Sequence, residues 1–475
     1  MERIVCAIDI GASGGKVFAA HAEGQQLTVQ EVMRFPNGPV LFQDRLCWDL
    51  QRLEREMVRG IAQAFERYGA LDGISVDTWG FDVVCWDKAG IPQMFPVCYR
   101  DNVNQKGVKW VEKRWDSTML YHTSGIPSSK FTTLSQLAAR DRSALARVLW
   151  MPDALMHFMG AQPYAERTIA STSQMLDVHT GTWNVELEQI LFQNSSVLPA
   201  IVPSATITGT LRSDLQRGDR PTSLIATAGH DTAAAVAALP VQEDSFLYLI
   251  CGTWCLLGTV SDRPITNARA QAFGLHNQYA ADGKIRLQKG LTGLWVCQQL
   301  RKQWREQGLQ LSYADEAQLL ALARDFISAV DLQDDCFTQP GDMAQKLRES
   351  CERNGMQPPH TPAEQLKCIY NSLAQEVLRG VMQLEQVQGR RYQKIYVAGG
   401  GANAREFMQL LADTTEKFVV TGFSDASALG NLMLQLSALG YFQEDSQLRQ
   451  QVAKLSRMQI YSPRCRRIER DKTTV

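Results

Sequence analysis

Apolar residues dominate the start of the chain, from Arg3 to Ile10, and predict a buried strand. A glycine-rich turn follows, then strands at Lys16 to Ala22 and Leu27 to Arg34, so the chain opens as a β-meander. Leu50 to Tyr68 carries apolar residues at helical spacing and predicts an amphipathic helix. Ile74 to Val76 and Val83 to Trp86 read as short strands around a polar turn, and Gln105 to Met159 as mostly helical. Leu224 to Ala228 is another strand, ending at Gly229-His230-Asp231.

The opening pattern then restarts. Phe246 to Ile250 reads as a strand, Cys251-Gly252-Thr253 as a turn and Trp254 to Val260 as a second strand. This echoes Val5 to Ala20 and suggests a second unit that also opens with a hairpin. Asp331 to Pro362 is polar and loop-rich, and Leu366 to Gln388 reads as an amphipathic helix. Lys394 to Ala398 is a strand feeding Gly399-Gly400-Gly401, with a helix from Ala404 onward. Strands mixed with long helices indicate an α/β protein. The expected division is into residues 1–240 and 241–475.

Composition narrows the partners. At 475 residues and 45% hydrophobic, the chain has material for two domains. A formal net charge of −1 gives no electrostatic reason to expect nucleic acid or an anionic membrane. The locally basic stretch from Arg464 to Lys472 reads as a solvated tail. No signal peptide is expected, because Asp9 cuts the first apolar run short, and no stretch is long enough to cross a bilayer. The 11 cysteines form no C-x-x-C pair, which argues against zinc and for reduced, buried thiols in a cytoplasmic protein.

Four segments carry candidate chemistry. Asp9 to Lys16, DIGASGGK, lacks the G-x-G-x-x-G spacing and is one residue short of a P-loop. Val17 also stands where a P-loop has a magnesium-binding hydroxyl. It is either an anion nest of backbone N–H groups, with Lys16 adding charge and Asp9 a water-mediated magnesium contact, or a plain hairpin needing positive φ. Val397 to Asn403 ends a strand and opens a helix through three glycines. That is either a close backbone approach to a nucleotide or a strained turn. Asp231 in Gly229-His230-Asp231-Thr232 is either a general base or a helix N-cap. Trp79 in Asp77 to Asp82, DTWGFD, is either a sugar platform or a core tryptophan.

Together these segments resemble the FGGY carbohydrate kinases, and among them most closely the branch that acts on rhamnulose. The resemblance also rests on PVCYRD from Pro96, MPDALMHFMG from Met151, ERTIASTSQ from Glu166, CGTWCLLG from Cys251 and GLWVCQ from Gly293. It implies two ribonuclease-H-like, actin-like ATPase domains with a central cleft. It further implies ATP and Mg2+ as cofactors, a small ketose as substrate, and a monomer or homodimer. Asp231 would be the base and Asp9 would face the metal. Ala12, Ser13, Gly14, Gly15 and Lys16 would hold phosphate, with Thr253, Gln298 and Gly400 on the nucleotide side. Trp79, Gly80, His230 and Thr232 would face the sugar. Two positions depart from that branch: Gly290 replaces an Asn that touches the sugar, and Val103 replaces an Arg. Fuculose, xylulose and ribulose therefore stand behind rhamnulose. An ATPase switch and a sugar sensor without catalysis are the readings from other classes.

Overall fold

The computed structural model describes residues 2–464 apart from 193–196, 244, 313–314 and 424. Of the basic stretch beginning at Arg464, all but that first residue lies outside the described residues. The chain forms two compact units, each assembled from separate stretches: 1–242, 259–288 and 425–456 in the first, 243–258, 289–424 and 457–475 in the second.

The first unit is built on a six-stranded sheet. Its order is Thr206–Thr210, Ser223–Ala226, Gly73–Thr78, Glu2–Gly11, Gly14–Glu23, Gln26–Pro36. Glu2–Gly11 runs parallel to Gly73–Thr78 and antiparallel to Gly14–Glu23. Strand alternation gives Glu2–Gly11 two apolar faces. Ile4, Cys6, Ile8 and Ile10 pack with Leu50, Leu53, Met57 and Ile61 of the helix Leu50–Tyr68. Val5 and Ala7 pack with Leu432, Met433 and Leu436 of the helix Ala426–Ala438. Helices thus cover both faces of a mixed sheet, as in other α/β layers.

The opening meander, the helix Leu50–Tyr68 and the strand Lys394–Ala398 stand where the apolar pattern puts them. Three expectations need correction. Within 105–159 the chain also forms a strand, Leu145–Trp150, paired antiparallel with Val83–Asp87. Within 331–362 the polar stretch folds into the helices Asp335–Thr338 and Met343–Arg353, the second capped by Asp342. The helix expected from Leu366 begins at Pro362, where Thr361 and Glu364 form a capping box and proline takes the first turn.

The second unit carries parallel strands Leu247–Cys251, Lys394–Ala398 and Phe418–Phe423, with Gln459–Tyr461 antiparallel at the edge. The helix Pro362–Gln388 is its longest described helix and ends at Gly389, φ +66°. Among the described residues no helix is long and apolar enough to cross a membrane. None of the ten described cysteines is in a disulfide, and all but Cys336 are buried.

Candidate active site

Register alone assembles a charged row on the first unit's sheet. Asp9 lies opposite Asp77 on one side and Lys16 on the other, and Lys16 lies opposite Arg34. Directly paired residues share a face, so two carboxylates and two cations stand side by side. Asp9 follows Val5 and Ala7 in the alternation, which puts it on the face covered by the helix Ala426–Ala438. That helix supplies Asn431, whose Nδ2 donates to Asp77 Oδ1 at 3.0 Å. Gln435, one turn on, donates to Asn431 Oδ1 at 2.8 Å and to the Cys6 carbonyl at 2.9 Å. Lys16 Nζ donates to Asp425 at 2.8 Å.

Asp77 is fully buried and its Oδ2 has no hydrogen-bond partner among the described residues. Burial pushes its carboxyl well above the usual range, with neighbouring Asp9 adding and Asn431 opposing. Burial pushes Asp9 up to about 7, with Lys16 opposing and Asp231 and Asp425 adding. Carboxylates held this close in a dry site are short of positive charge. A divalent cation answers that need, and magnesium is held by one or two carboxylates with the rest water and phosphate. Asp9 and Asp77 fit that role. No cluster of three protein ligands occurs among the described residues, and such a magnesium site needs none. Asp9 is the carboxylate expected to face a metal; Asp77, within the DTWGFD segment, stands opposite it without having been expected there.

The turn between the first two strands is Ala12–Ser13, with Gly14 and Gly15 opening the second strand. None of Ala12, Ser13, Gly14 and Gly15 has positive φ, so the hairpin does not need its glycines for backbone conformation. The two glycines do different jobs. A β-carbon on Gly15 would overlap the Phe35 ring, whereas one on Gly14 would meet only the Phe35 carbonyl, at 3.5 Å. Gly15 is therefore needed for packing, whereas a β-carbon at Gly14 would sit at ordinary van der Waals contact.

Asp231 is the first residue of the helix Asp231–Ala237; its N-cap is His230, so the cap reading of Asp231 is wrong. Its side chain keeps 27% exposure. Thr232 Oγ1 donates to Asp231 Oδ1 at 3.0 Å. Burial pushes the Asp231 carboxyl up to about 6, with Thr232 and then Arg286 opposing. His230 is 6% exposed, and its Nε2 is 3.6 Å from Asp231 Oδ1. Thr78 N–H donates to the Gly229 carbonyl, which docks this segment beside the strand bearing Asp77. Glu166, also unforeseen as a positioning group, accepts from the backbone N–H of Gly229 at 2.9 Å and from Thr168. Thr168 Oγ1 in turn accepts from the His230 N–H at 3.3 Å.

Gly80 faces this point: a β-carbon there would stand 3.4 Å from His230 Nε2 and 3.3 Å from Thr172 Cγ2. Trp79 does not present an open platform. It is 6% exposed, packs on Trp48 with ring centroids 4.0 Å apart, and donates to Asp82 at 2.8 Å. Phe81 is the half-buried aromatic here. Its φ of +80° is costly for a bulky residue, and Thr172 and Thr133 hold its backbone by hydrogen bonds of 3.1 and 2.6 Å.

In the second unit, Thr253 sits on the turn between Leu247–Cys251 and Cys255–Ser261. Gln298 Nε2 donates to its hydroxyl at 3.3 Å. The turn is fastened to the helix Trp295–Glu306: Leu294 N–H donates to Gly252 and Trp295 N–H to Thr253. The glycine triplet has three separate causes. Gly399 has φ +90°, Gly401 packs where a β-carbon would overlap Cys251 Sγ, and Gly400 is exposed with nothing within 4 Å of a β-carbon. Gly400 is thus the position where a ligand can approach the backbone.

Residues 4–238 match the family model described as FGGY family of carbohydrate kinases, N-terminal domain, and residues 247–439 match its C-terminal domain. The chain is 33% identical over 457 residues to a rhamnulokinase of Oceanobacillus iheyensis, covering 95% of this chain and 96% of that one. It is 31% identical over 473 residues to a rhamnulokinase of Bacteroides thetaiotaomicron, covering 98% and 96%. Solved structures show the same fold at low identity. A xylulose kinase of Lactobacillus acidophilus has TM-score 0.75 at 14% identity, covering 97% of this chain and 94% of that one. A glycerol kinase of Plasmodium falciparum with ADP has TM-score 0.76 at 13% identity, covering 98% and 94%. Matched along both halves by one family and along nearly its whole length by such relatives, the chain belongs to the FGGY family of carbohydrate kinases.

Proposed function

We propose that this sugar kinase transfers the γ-phosphoryl group of ATP to the C1 hydroxyl of L-rhamnulose. The observation that carries the reading is Asp231: a part-exposed carboxylate at the first residue of a helix, beside His230, whose Nε2 lies against Gly80. The full-length similarity to rhamnulokinases supports the choice of sugar.

In this reading Asp231 takes the proton of the attacking hydroxyl as the bond to phosphorus forms. Gly80, His230 and Thr232 orient the sugar, and Trp79 stiffens the wall behind them. The turn Ala12–Ser13 with Gly14, Gly15 and Lys16 offers backbone N–H groups and a positive charge to phosphate. Thr253, Gln298 and Gly400 hold ATP in the second unit. Asp9 and Asp77 hold magnesium, which when bound neutralises phosphate charge. The rest is positioning, which is most of what phosphoryl transfer asks of a protein.

Gly14→Val tests the phosphate turn. The β-carbon has room, so Tm should stay near wild type while calorimetry with a non-hydrolysable ATP analogue shows weaker binding. Gly15→Val should instead destabilise the fold by about 1–3 kcal/mol through overpacking on Phe35. Unchanged nucleotide affinity in Gly14→Val would remove the turn from the phosphate site.

A broader ketose preference is favoured by a specific observation. Gly290 is exposed, with open space where a side chain would stand, and Val103 is a half-buried apolar residue in the turn capped by Asp101. A missing hydrogen bond to a sugar hydroxyl costs about 0.5–1.5 kcal/mol. Coupled ADP release across rhamnulose, fuculose, xylulose and ribulose should give the highest kcat/KM for rhamnulose, by less than roughly a thousandfold. A larger preference would rule out the relaxed pocket. Another ketose in front would reassign the substrate.

A further inference from the structure

Behind His230 lies a buried guanidinium that phosphoryl transfer does not itself require. Arg286 is fully buried on the strand Ile285–Leu291, opposite Gln278 of the strand His276–Tyr279. Its Nε donates to the Tyr279 carbonyl at 3.1 Å, its Nη1 to Gln288 Oε1 at 3.1 Å and its Nη2 to Gln278 Oε1 at 3.2 Å. Gln288 Nε2 donates to the same Gln278 oxygen at 2.9 Å, so both amides turn their oxygens toward the guanidinium. The group cannot rotate without breaking several of these bonds. Its Nη2 also lies 3.0 Å from His230 Nδ1.

A guanidinium has donors and no acceptor. In that contact Nδ1 must therefore be the acceptor, and the ring proton must sit on Nε2. Protonating both nitrogens would lose the bond and place two cations in contact. Nε2 is the atom that faces Asp231 and lies against Gly80.

We propose that Arg286 is a positioning residue that locks His230 as the neutral, Nε2-protonated tautomer, making His230 a pure hydrogen-bond donor to a sugar oxygen beside Asp231. The inference rests on the sugar reading of this site. It divides the labour there. His230 has no free lone pair on the side facing Asp231, so it cannot take the hydroxyl proton, and Asp231 is the only acceptor of the pair. A sugar must then present an oxygen lone pair to His230 as well as a hydroxyl to Asp231, which makes the Arg286–His230 pair a selector among ketoses. The other groups facing His230 agree with a neutral ring. Burial, the Arg286 charge and His276 all hold the imidazole well below its ordinary pKa.

The test is nitrogen-15 NMR of protein labelled at histidine, with the His230 signal assigned by its loss in His230→Gln. The imidazole shifts should show the proton on Nε2 throughout pH 6 to 8. A proton on Nδ1, or a charged ring, would overturn the proposal. In Arg286→Met the tautomers should mix and KM for the sugar should rise about tenfold, the scale of one lost hydrogen bond. ATP affinity should stay unchanged and kcat within about threefold. Arg286→Lys, which keeps a donor and a charge, should restore the Nε2-protonated form and part of the lost affinity. An unchanged sugar KM in a folded Arg286→Met would also overturn it. Should Arg286→Met fail to fold, the wild-type spectrum still decides. The NMR arm needs no substrate, so an enzyme that phosphorylates no ketose would sink the sugar reading alone.

Discussion

Asp231→Asn should lower kcat by about two to four orders of magnitude, the usual worth of general-base help. The substitution keeps the size of the side chain and its acceptor for Thr232 Oγ1, which now donates at 3.0 Å. The Asp231 carboxylate also bonds the Thr232 backbone N–H, and an amide oxygen keeps that acceptor. Tm and ATP affinity should therefore hardly move. The pH profile offers a second reading of the same residue. Burial places the Asp231 carboxyl at about 6, and a base works only when ionised. Wild-type kcat/KM should thus rise with pH through about 6 and level off above it. Stopped assays from pH 5 to 8 would show this limb, and Asp231→Asn should lack it. Near-normal turnover in the variant would remove Asp231 from the chemistry and bring the ATPase-switch reading forward.

Gly430→Ala should be strongly destabilising. Gly430 lies where the helix Ala426–Ala438 crosses the helix Asp231–Ala237, and an added β-carbon would overlap the Ala234 carbonyl. Backbone is the obstacle, so one helix must move. Overpacking of this kind costs about 1–3 kcal/mol, and with no flexible side chain to yield the upper end is expected. The two helices also carry Asp231 and Asn431, whose amide holds Asp77. Displacement should accordingly lower kcat and raise the magnesium concentration needed for half-maximal rate. Thermal melts and magnesium titrations check both effects. A variant with wild-type Tm would show that the crossing has slack and that Gly430 is not needed for close approach.

Much of this was legible because local pattern and local chemistry agree. The run from Arg3 to Ile10, the spacing of Leu50 to Tyr68 and the strand at Lys394 each carry their own period. The place of Asp231, where a strand gives way to a helix, left base and cap both open, and only the family resemblance pointed to the base. The missed parts depend on partners distant in sequence. Leu145–Trp150 looks like the helical region around it until Val83–Asp87 pairs with it. Asp77 gains meaning only from parallel register with Asp9 and an amide brought by Asn431. Arg286 is one basic residue among many until its guanidinium is found under His230. Trp79 shows the opposite error: aromatic and polar neighbours suggested a platform, while its indole N–H was already committed to Asp82. No spacing rule separates those cases, because both place tryptophan near hydrogen-bonding groups.

The most direct measurement follows the label. Enzyme, rhamnulose, magnesium and ATP labelled in the γ-phosphoryl group should be mixed at pH 7.5 and quenched through several turnovers, with Asp231→Asn run beside the wild type. The account predicts label on the C1 oxygen of rhamnulose in the wild type, at a rate at least a hundredfold above the variant. Label released as inorganic phosphate at the same rate with and without sugar would contradict it.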